Sequence, residues 1–446
     1  MVGGGITGLA ASWEASGHPG VHVVLHEAED RLGGKIRTSP VRLDGGTELL
    51  VDEGADAFLA RVPDAVELCR ELGLDDELTE PAIGRAMVVH RGSLRFLPTD
   101  TVLGVPLDLE VLAGTGLLSE HGTAAVAAEL DRDDPPLSVD VAIGPFLSER
   151  LGPELVDTLV GPLIGGINAG DVDQLSLSAV TPQLADAAAD GGSLIAALRR
   201  RRPAGNPGPV FHGLLGGTGR LVEALAEQLV ARGVELRTGH RLDDLASTGD
   251  DPVVITSPAP AAAQLVRQWS PDAATELDHI THSSVTLVTF VFERDDVPGP
   301  LDASGVLVPP GEGRFATAVS WGSSKWAHWD DGRHVVLRAS AGRIGDDRAA
   351  HLSDDEVVAR LLDDLSDLMG VAADPVGVRV SRWPLGFAQY TVGHLERVER
   401  IEAALAADLP RVAVAGAAYR GLGIPACIRQ GRNATRQLLD RMRAGG

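Results

Sequence analysis

Three glycines near the start of the chain, Gly3, Gly5 and Gly8, have the spacing that lets a backbone wrap a diphosphate. The first allows a tight turn, the second lets a diphosphate approach the main chain, and the third lets the following helix pack closely on its strand. That helix (LAASWEASG, from Leu9) would start with free N–H groups and the positive end of its dipole aimed at the anion. Glu27 ends the next strand, about 20 residues on, where a carboxylate accepts ribose hydroxyls and disfavours a 2′-phosphate, so NADP is not expected. A lone glycine triplet is often a plain turn. Glu27 and the strand–helix patterns on both sides favour a dinucleotide fold here.

Further segments carry residues suited to the same ligand. In GAAYRGLGIPACI (Gly416–Ile428) glycines permit close backbone approach, and Pro425 suits the first turn of a helix whose N-terminus can point at ligand oxygens. EAEDRLGGK (Glu27–Lys35) resembles the ExxxRxGG(R/K) signature of the amine-oxidase-like flavoproteins, in which the arginine and paired glycines let the chain wrap the FAD diphosphate. EGADAF (Glu53–Phe58) resembles the segment of that family that passes beside the isoalloxazine ring. Four stretches narrow the resemblance: PLIGGINAGDVDQLSL (Pro162–Leu177), VLVPPGEGRFATAVSWGSSKWAHW (Val306–Trp329), RWPLGFAQYTVGHLERV (Arg382–Val398) and the 416–428 segment. With them, nearly the whole chain looks like the protoporphyrinogen/coproporphyrinogen oxidase branch, nearest the soluble bacterial coproporphyrinogen III type.

The resemblance implies non-covalent FAD. By position its contacts fall on Gly3, Gly4, Gly5, Ile6, Thr7, Gly8, Glu27, Ala28, Arg31, Gly34, Lys35, Gly54, Ala55, Asp56, Ala57, Leu242 at the adenine end, Trp383, Leu422, Gly423 and Ile424. It implies oxidation of a porphyrinogen to a porphyrin in haem biosynthesis by hydride transfer to flavin N5, with O₂ as acceptor and H₂O₂ released. Coproporphyrinogen III is favoured over protoporphyrinogen IX. The macrocycle brings its own electron-rich pyrroles, so no protein nucleophile, metal or acid/base pair is required. His394 is the nearest candidate base and reads better as a structural histidine, since no paired carboxylate is evident nearby. Propionates call for cations, and Arg61 matches a position near the substrate in this branch; a solvated arginine at a helix start is the alternative. The run Arg199–Arg202 reads as a solvated loop, and Trp321, Trp326 and Trp329 as packing.

These residues need elements to position them. VHVVLHEA, with four aliphatics within Val21–Leu25, suits a buried parallel strand and completes a βαβ start. From about Pro81 to Arg202 the pattern becomes helix-forming, broken by proline and glycine. Strand–helix alternation returns after the Gly/Pro-rich stretch Arg202–Gly219. Residues from Ser283 to Arg343 are strand-rich, as in an antiparallel sheet with one wet face. A strand at Val412–Gly416 and a last helix close the chain. The expected fold class is α/β (α+β overall): a Rossmann-like FAD-binding domain in three pieces (1–80, 203–265, 406–446), a helical domain that can rest on a membrane (81–202) and an inserted antiparallel-sheet substrate domain (266–405).

Composition narrows the partners. A net charge of −24 repels nucleic acid and anionic lipid headgroups, so no nucleic-acid partner is expected, and any anionic substrate must be met by local arginines. Two cysteines are too few for a disulfide framework or thiolate metal site. No stretch has the roughly 18–20 apolar residues of a membrane span, and no signal peptide is visible, so a cytoplasmic protein is expected. Peripheral membrane contact and handover of product to a ferrochelatase are further expectations from the resemblance, and the oligomeric state is open.

The chain departs from the branch in three ways. Only Met1 and Val2 precede Gly3 where a full central strand is usual, so the true start is expected upstream. Only Thr248–Asp251 stand where a β-meander is usual. Ala388 replaces a proline and Asn168 an aromatic, which bears on substrate fit. Two other readings stay open: a flavoprotein acting on amines or carotenoids, and a non-catalytic paralogue that holds porphyrin or haem.

Overall fold

The computed structural model describes residues 1–202 and 208–445. Residues 203–207 of the Gly/Pro-rich stretch, with the expected boundary at 203, lie outside the described residues. The elements that position the site are helix α1 (Ile6–Ser16), strand β1 (Val24–His26), helix α2 (Gly219–Ala231) and strands β2 (Glu235–Arg237) and β3 (Val253–Ile255). They continue with strands β4 (His282–Glu293), β5 (His334–Ala341) and β6 (Gly377–Ala388), helix α3 (His394–Asp408), strand β7 (Val412–Val414) and helix α4 (Ile424–Gly445).

A parallel sheet gathers strands from distant parts of the chain. β2 runs beside β1 and β7 beside β3. Val253, Val254 and Ile255 are all buried, as a parallel strand covered on both faces requires. Met1 and Val2 stand between the two strand pairs. Val2 N–H donates to Val254 O (2.9 Å), His26 N–H to Met1 O (2.9 Å) and Thr256 N–H to Val2 O (2.7 Å). The central position, read from sequence as lacking its strand, is therefore held by these two residues, which deliver the chain into the glycine loop.

The second sheet has seven strands, and β6, β4 and β5 are consecutive at one side. The expectation of a wet face fails at its centre. Val288, Phe290 and Phe292 of β4 pack with Val335, Leu337 and Ala339 of β5 in one core. Val291 and Val336, on the opposite face, pack with Trp326 and Trp329 in another. All three tryptophans of 321–329 are buried, as read. The helical pattern also starts later than read. Met87–His90 and Ser93–Phe96 form a hairpin at the sheet's far side, where Arg91 (φ +52°) and Gly92 (φ +71°) make the tight turn.

Helices from Leu109 onward enclose their own core of Leu112, Leu147, Leu159 and Leu184. Val156–Gly165 is wound as a π-helix and leads into Gly166–Asn168 and the left-handed Ala169 (φ +44°). Between β2 and β3 a single 3₁₀ turn, Leu245–Thr248, fills the interval where the meander is absent. Among the described residues no helix is long and apolar enough to cross a membrane.

Candidate cofactor site

The three fingerprint glycines differ in what they permit. Gly3 has φ +103°, in the region that strains any side chain, and its Cβ would fall 2.9 Å from Thr256 Oγ1. A Cβ on Gly8 would lie 1.9 Å from Gly3 O, so α1 packs against the turn only without one. A Cβ on Gly5 would meet no described atom within 4 Å. Gly5 caps α1 without a side-chain acceptor, and the first turn carries no acid, so no side chain of that turn satisfies the free N–H groups of the helix start. Ser257 Oγ, beside Gly3 at the end of β3, is enclosed without a hydrogen-bond partner among the described residues. Open space, unpartnered donors and an orphan hydroxyl together make a cradle suited to a diphosphate.

Glu27 closes one end of the cradle. Its carboxylate accepts from Gly4 N–H (2.5 Å) and Glu29 N–H (2.8 Å), and its carbonyl accepts from His240 N–H (2.8 Å). Gly33 N–H donates to Gly4 O (2.8 Å), which docks the second glycine turn on the first. Arg31 fastens that turn by donating to Gly34 O (2.6 Å) and Leu32 O (3.3 Å). A Cβ on Gly54 would fall 2.4 Å from Lys35 O, so these two segments touch through main chain. Arg338 donates to Asp52 O (3.0 Å) and Gly54 O (2.8 Å) and pairs with Asp56 (3.3 Å). Lys325 and the Trp326 indole N–H reach Asp56 at 3.0 Å. Burial opposes the Asp56 charge, but Arg338 and Lys325 outweigh it and hold its carboxyl well below the usual range. The side chains of Arg31 and Asp56 are thus committed within the protein, and these segments offer a ligand main chain.

Lys35 is reached by solvent yet walled in by protein. Burial holds its ammonium below the ordinary lysine range against the pull of Cys427, and no described residue hydrogen-bonds or ion-pairs with it. His282, at the start of β4, has Nδ1 2.8 Å from Ile280 O, which keeps the proton there and leaves Nε2 as an acceptor. Burial lowers its pKa, the Ile280 carbonyl opposes this, and the Lys35 charge adds to the lowering. Trp383 donates its indole N–H to Glu53 O (2.8 Å), so β6 is pinned to the same segment.

The 416–423 loop arrives from the other side. Gly416 (φ +134°) would place a Cβ 3.6 Å from Thr7 Oγ1. Tyr390 Oη lies 2.9 Å from both Ala417 O, to which it donates, and Gly421 N–H, from which it accepts. His394 is fully buried, stacks on Tyr390 with ring centroids 4.0 Å apart, and places Nε2 2.8 Å from Tyr419 O. Burial lowers its pKa to about 4. No described carboxylate pairs with it, and its Nδ1 is enclosed without a hydrogen-bond partner among the described residues. Leu422 and Gly423 then lead into α4 at Ile424.

The structure brings together Gly3–Gly8, Glu27, Gly34, Lys35, Gly54 and the 416–424 loop. Ala28 is exposed at the rim, and Leu242 is half-buried against the core of Val2, Leu245 and Val253. Ala55 accepts from Thr218 Oγ1 (2.8 Å), and Ala57 packs on the Trp326 cluster. Arg61 is exposed beyond the strand Phe58–Leu59, with no described partner. Thr256, Ser257, Tyr390 and His282 are not singled out by the sequence reading. Thr256 Oγ1 donates to Val2 O (3.0 Å) or Gly3 O (2.9 Å), and a Thr-Ser pair ending a buried strand was the available signal.

Residues 6–439 match the family described as flavin containing amine oxidoreductase. A coproporphyrinogen III oxidase of Bacillus subtilis (strain 168) is 32% identical, over 98% of this chain and 97% of its own. One of Mycobacterium bovis is 35% identical, over 100% and 98%. A crystal structure from Exiguobacterium sp. 255-15, put forward as a protoporphyrinogen oxidase, superposes with a TM-score of 0.86 at 33% identity, covering 99% of this chain and 98% of that one.

Proposed function

The chain belongs to the flavin-containing amine oxidoreductase family, and we propose that within it this protein is an FAD-dependent coproporphyrinogen III oxidase. It converts coproporphyrinogen III to coproporphyrin III with O₂ as acceptor and H₂O₂ as by-product. The observation that carries the reading is a full-length likeness to oxidases of that name, spanning both the glycine cradle and the sheet beside it. On this reading residues 1–80, 203–265 and 406–446 form the FAD domain, 81–202 the helical domain apart from the Met87–Phe96 hairpin, which joins the substrate sheet, and 266–405 the rest of the substrate domain.

When bound, the flavin supplies the two-electron acceptor that O₂ restores between rounds. The protein's own residues hold, orient and enclose. Gly3–Gly8 and the N-terminus of α1 take the diphosphate, and Glu27 faces the adenosine end. Lys35, the main chain of Gly54–Ala57, Trp383 and Leu422–Ile424 would hold the ring end, with the His282 Nε2 available beside Lys35. FAD is held non-covalently. Cys427 Sγ is buried against Gly421 O and Leu422 O (3.9 and 3.6 Å), and burial raises its pKa. Cys69 lies in the core with its thiol pushed up to about 12, mainly by burial.

The test is an absorbance scan of the purified protein followed by coproporphyrinogen III in air. The expected result is near-equimolar flavin, porphyrin fluorescence and peroxide. Faster turnover of protoporphyrinogen IX would move the assignment to that substrate, the one named for the Exiguobacterium relative. Bound porphyrin without turnover of either substrate would replace the oxidase reading with a binding paralogue.

A further inference from the structure

Strand β5 ends at Ala341, opposite Thr286 of β4. The chain beyond it runs towards the end of the sheet that carries His282 and, through Val285, pairs with Trp383. Gly342 (φ +96°) would place a Cβ 2.6 Å from Ser284 O, so the backbone hugs β4 there. Ile344 N–H then donates to Ala169 O (2.9 Å), which ties the segment to the Gly166–Asp171 turn of the helical region. Arg343 lies between these two anchors, where sheet and helical region meet.

Arg343 is half-buried, and no described residue gives its guanidinium a hydrogen bond or ion pair. Its natural partners are already engaged. Asp346 is held by both arms of Arg348 (2.8 and 2.7 Å). Asp171 accepts from Asp173 N–H and the Gln174 side chain, each at 3.0 Å. Neighbouring arginines on the sheet are satisfied: Arg338 by Asp52 O, Gly54 O and Asp56, and Arg382 by Asp354, Ala349 O and Leu352 O. Burial pulls the Arg343 pKa down while Asp346 only partly restores it, which is the state of a cation enclosed before its counter-ion arrives. The fork of five donors fits a carboxylate in two-point contact.

We infer that Arg343 is a substrate-binding residue that takes a propionate carboxylate of the porphyrinogen at the junction of the sheet and the Gly166–Asp171 turn. The inference rests on the oxidase reading and names the residue that would anchor the substrate's anionic rim. Asn168, where the branch has an aromatic, is turned inward in that same turn: its side-chain N–H donates to Ile164 O (2.8 Å), while its main-chain carbonyl accepts from the Gln389 side chain (3.0 Å). The turn therefore offers no ring to stack on, and Arg343 supplies the polar contact at that place.

The test is titration of coproporphyrin III into the flavin-loaded protein, followed by fluorescence, for the wild type, Arg343→Gln and Arg343→Lys. Coproporphyrin tetramethyl ester serves as the uncharged probe. The expected result is a Kd for coproporphyrin at least about tenfold weaker in Arg343→Gln, partial recovery in Arg343→Lys, and equal ester binding by all three. Flavin absorbance and melting temperature unchanged from the wild type show that the variants fold. Wild-type protein that binds coproporphyrin while Arg343→Gln binds it equally well overturns this inference alone. Equal weakening for the ester also overturns it, because the loss would then be one of shape. Wild-type protein that binds neither probe brings down the oxidase reading and the inference together.

Discussion

One carbon atom placed at Gly5 or at Gly8 should produce opposite failures. At Gly5 a Cβ meets no described atom, and the residue's φ of −69° suits alanine. Gly5→Ala is therefore expected to leave the melting temperature of the flavin-free protein within about 1–2 °C of wild type while weakening flavin binding at least about tenfold. At Gly8 the Cβ would lie 1.9 Å from a backbone oxygen, so Gly8→Ala is expected to destabilise the protein by about 1–3 kcal/mol with or without flavin. Thermal melts and flavin titration of both variants check the pair, and a Gly5→Ala protein that binds flavin normally means the cradle does not hold it. Sequence spacing made the glycines legible because their constraint is local. It said less about direction: the charges of Arg31 and Asp56 are spent on Gly34 O and on Arg338. His282 went unnoticed because its setting is made first by burial and then by groups such as Lys35, far away in sequence.

At the scale of elements, α3 begins with a histidine in the wrong electrostatic place for a charge. His394 is fully buried at a helix N-terminus, stacked on Tyr390, and its pKa is lowered to about 4 from an ordinary 6.5. The folded protein disfavours the protonated ring, so the unfolded chain binds a proton first as pH falls. Stability is then fully present above about 6.5, declines as pH falls towards about 4, and levels off below it, with a total loss of about 3 kcal/mol from this group. His394→Gln, which keeps a donor for Tyr419 O, is expected to flatten that part of the pH–stability curve in urea unfolding at pH 4, 5, 6 and 7. An unchanged slope would assign the acid sensitivity elsewhere. The strands and helices that meet through local pattern were readable here, such as β3 and α4. The Met87–Phe96 hairpin was missed because its Arg-Gly turn lies in a stretch otherwise rich in helix formers. The wet face was misjudged because Trp326 and Trp329, which cover it, come from a separate loop.

For the whole molecule the governing quantity is a net charge of −24, met by a substrate that on the proposed reading carries four carboxylates. Approach is then repulsive at long range, while capture by an enclosed arginine is attractive at contact. Salt separates the two, because screening acts strongly on exposed charges beyond the Debye length, about 30 Å at 0.01 M and about 10 Å at 0.1 M, and weakly on enclosed ones. Raising NaCl from about 10 to 150 mM should therefore raise kcat/KM for coproporphyrinogen III, by roughly two- to tenfold, where a steered enzyme would lose rate. Arg343→Gln should lie lower at every salt concentration with the same upward slope, since it removes the contact and leaves the far field almost intact. A kcat/KM that falls with salt would mean that local arginines outweigh the global charge and guide the substrate in. Composition alone could not decide this, because it sums charge without placing it. Among the described residues, Lys35 beside the cradle and Arg343 beside the sheet are cations without a hydrogen-bonded or ion-paired partner, in an otherwise acidic protein.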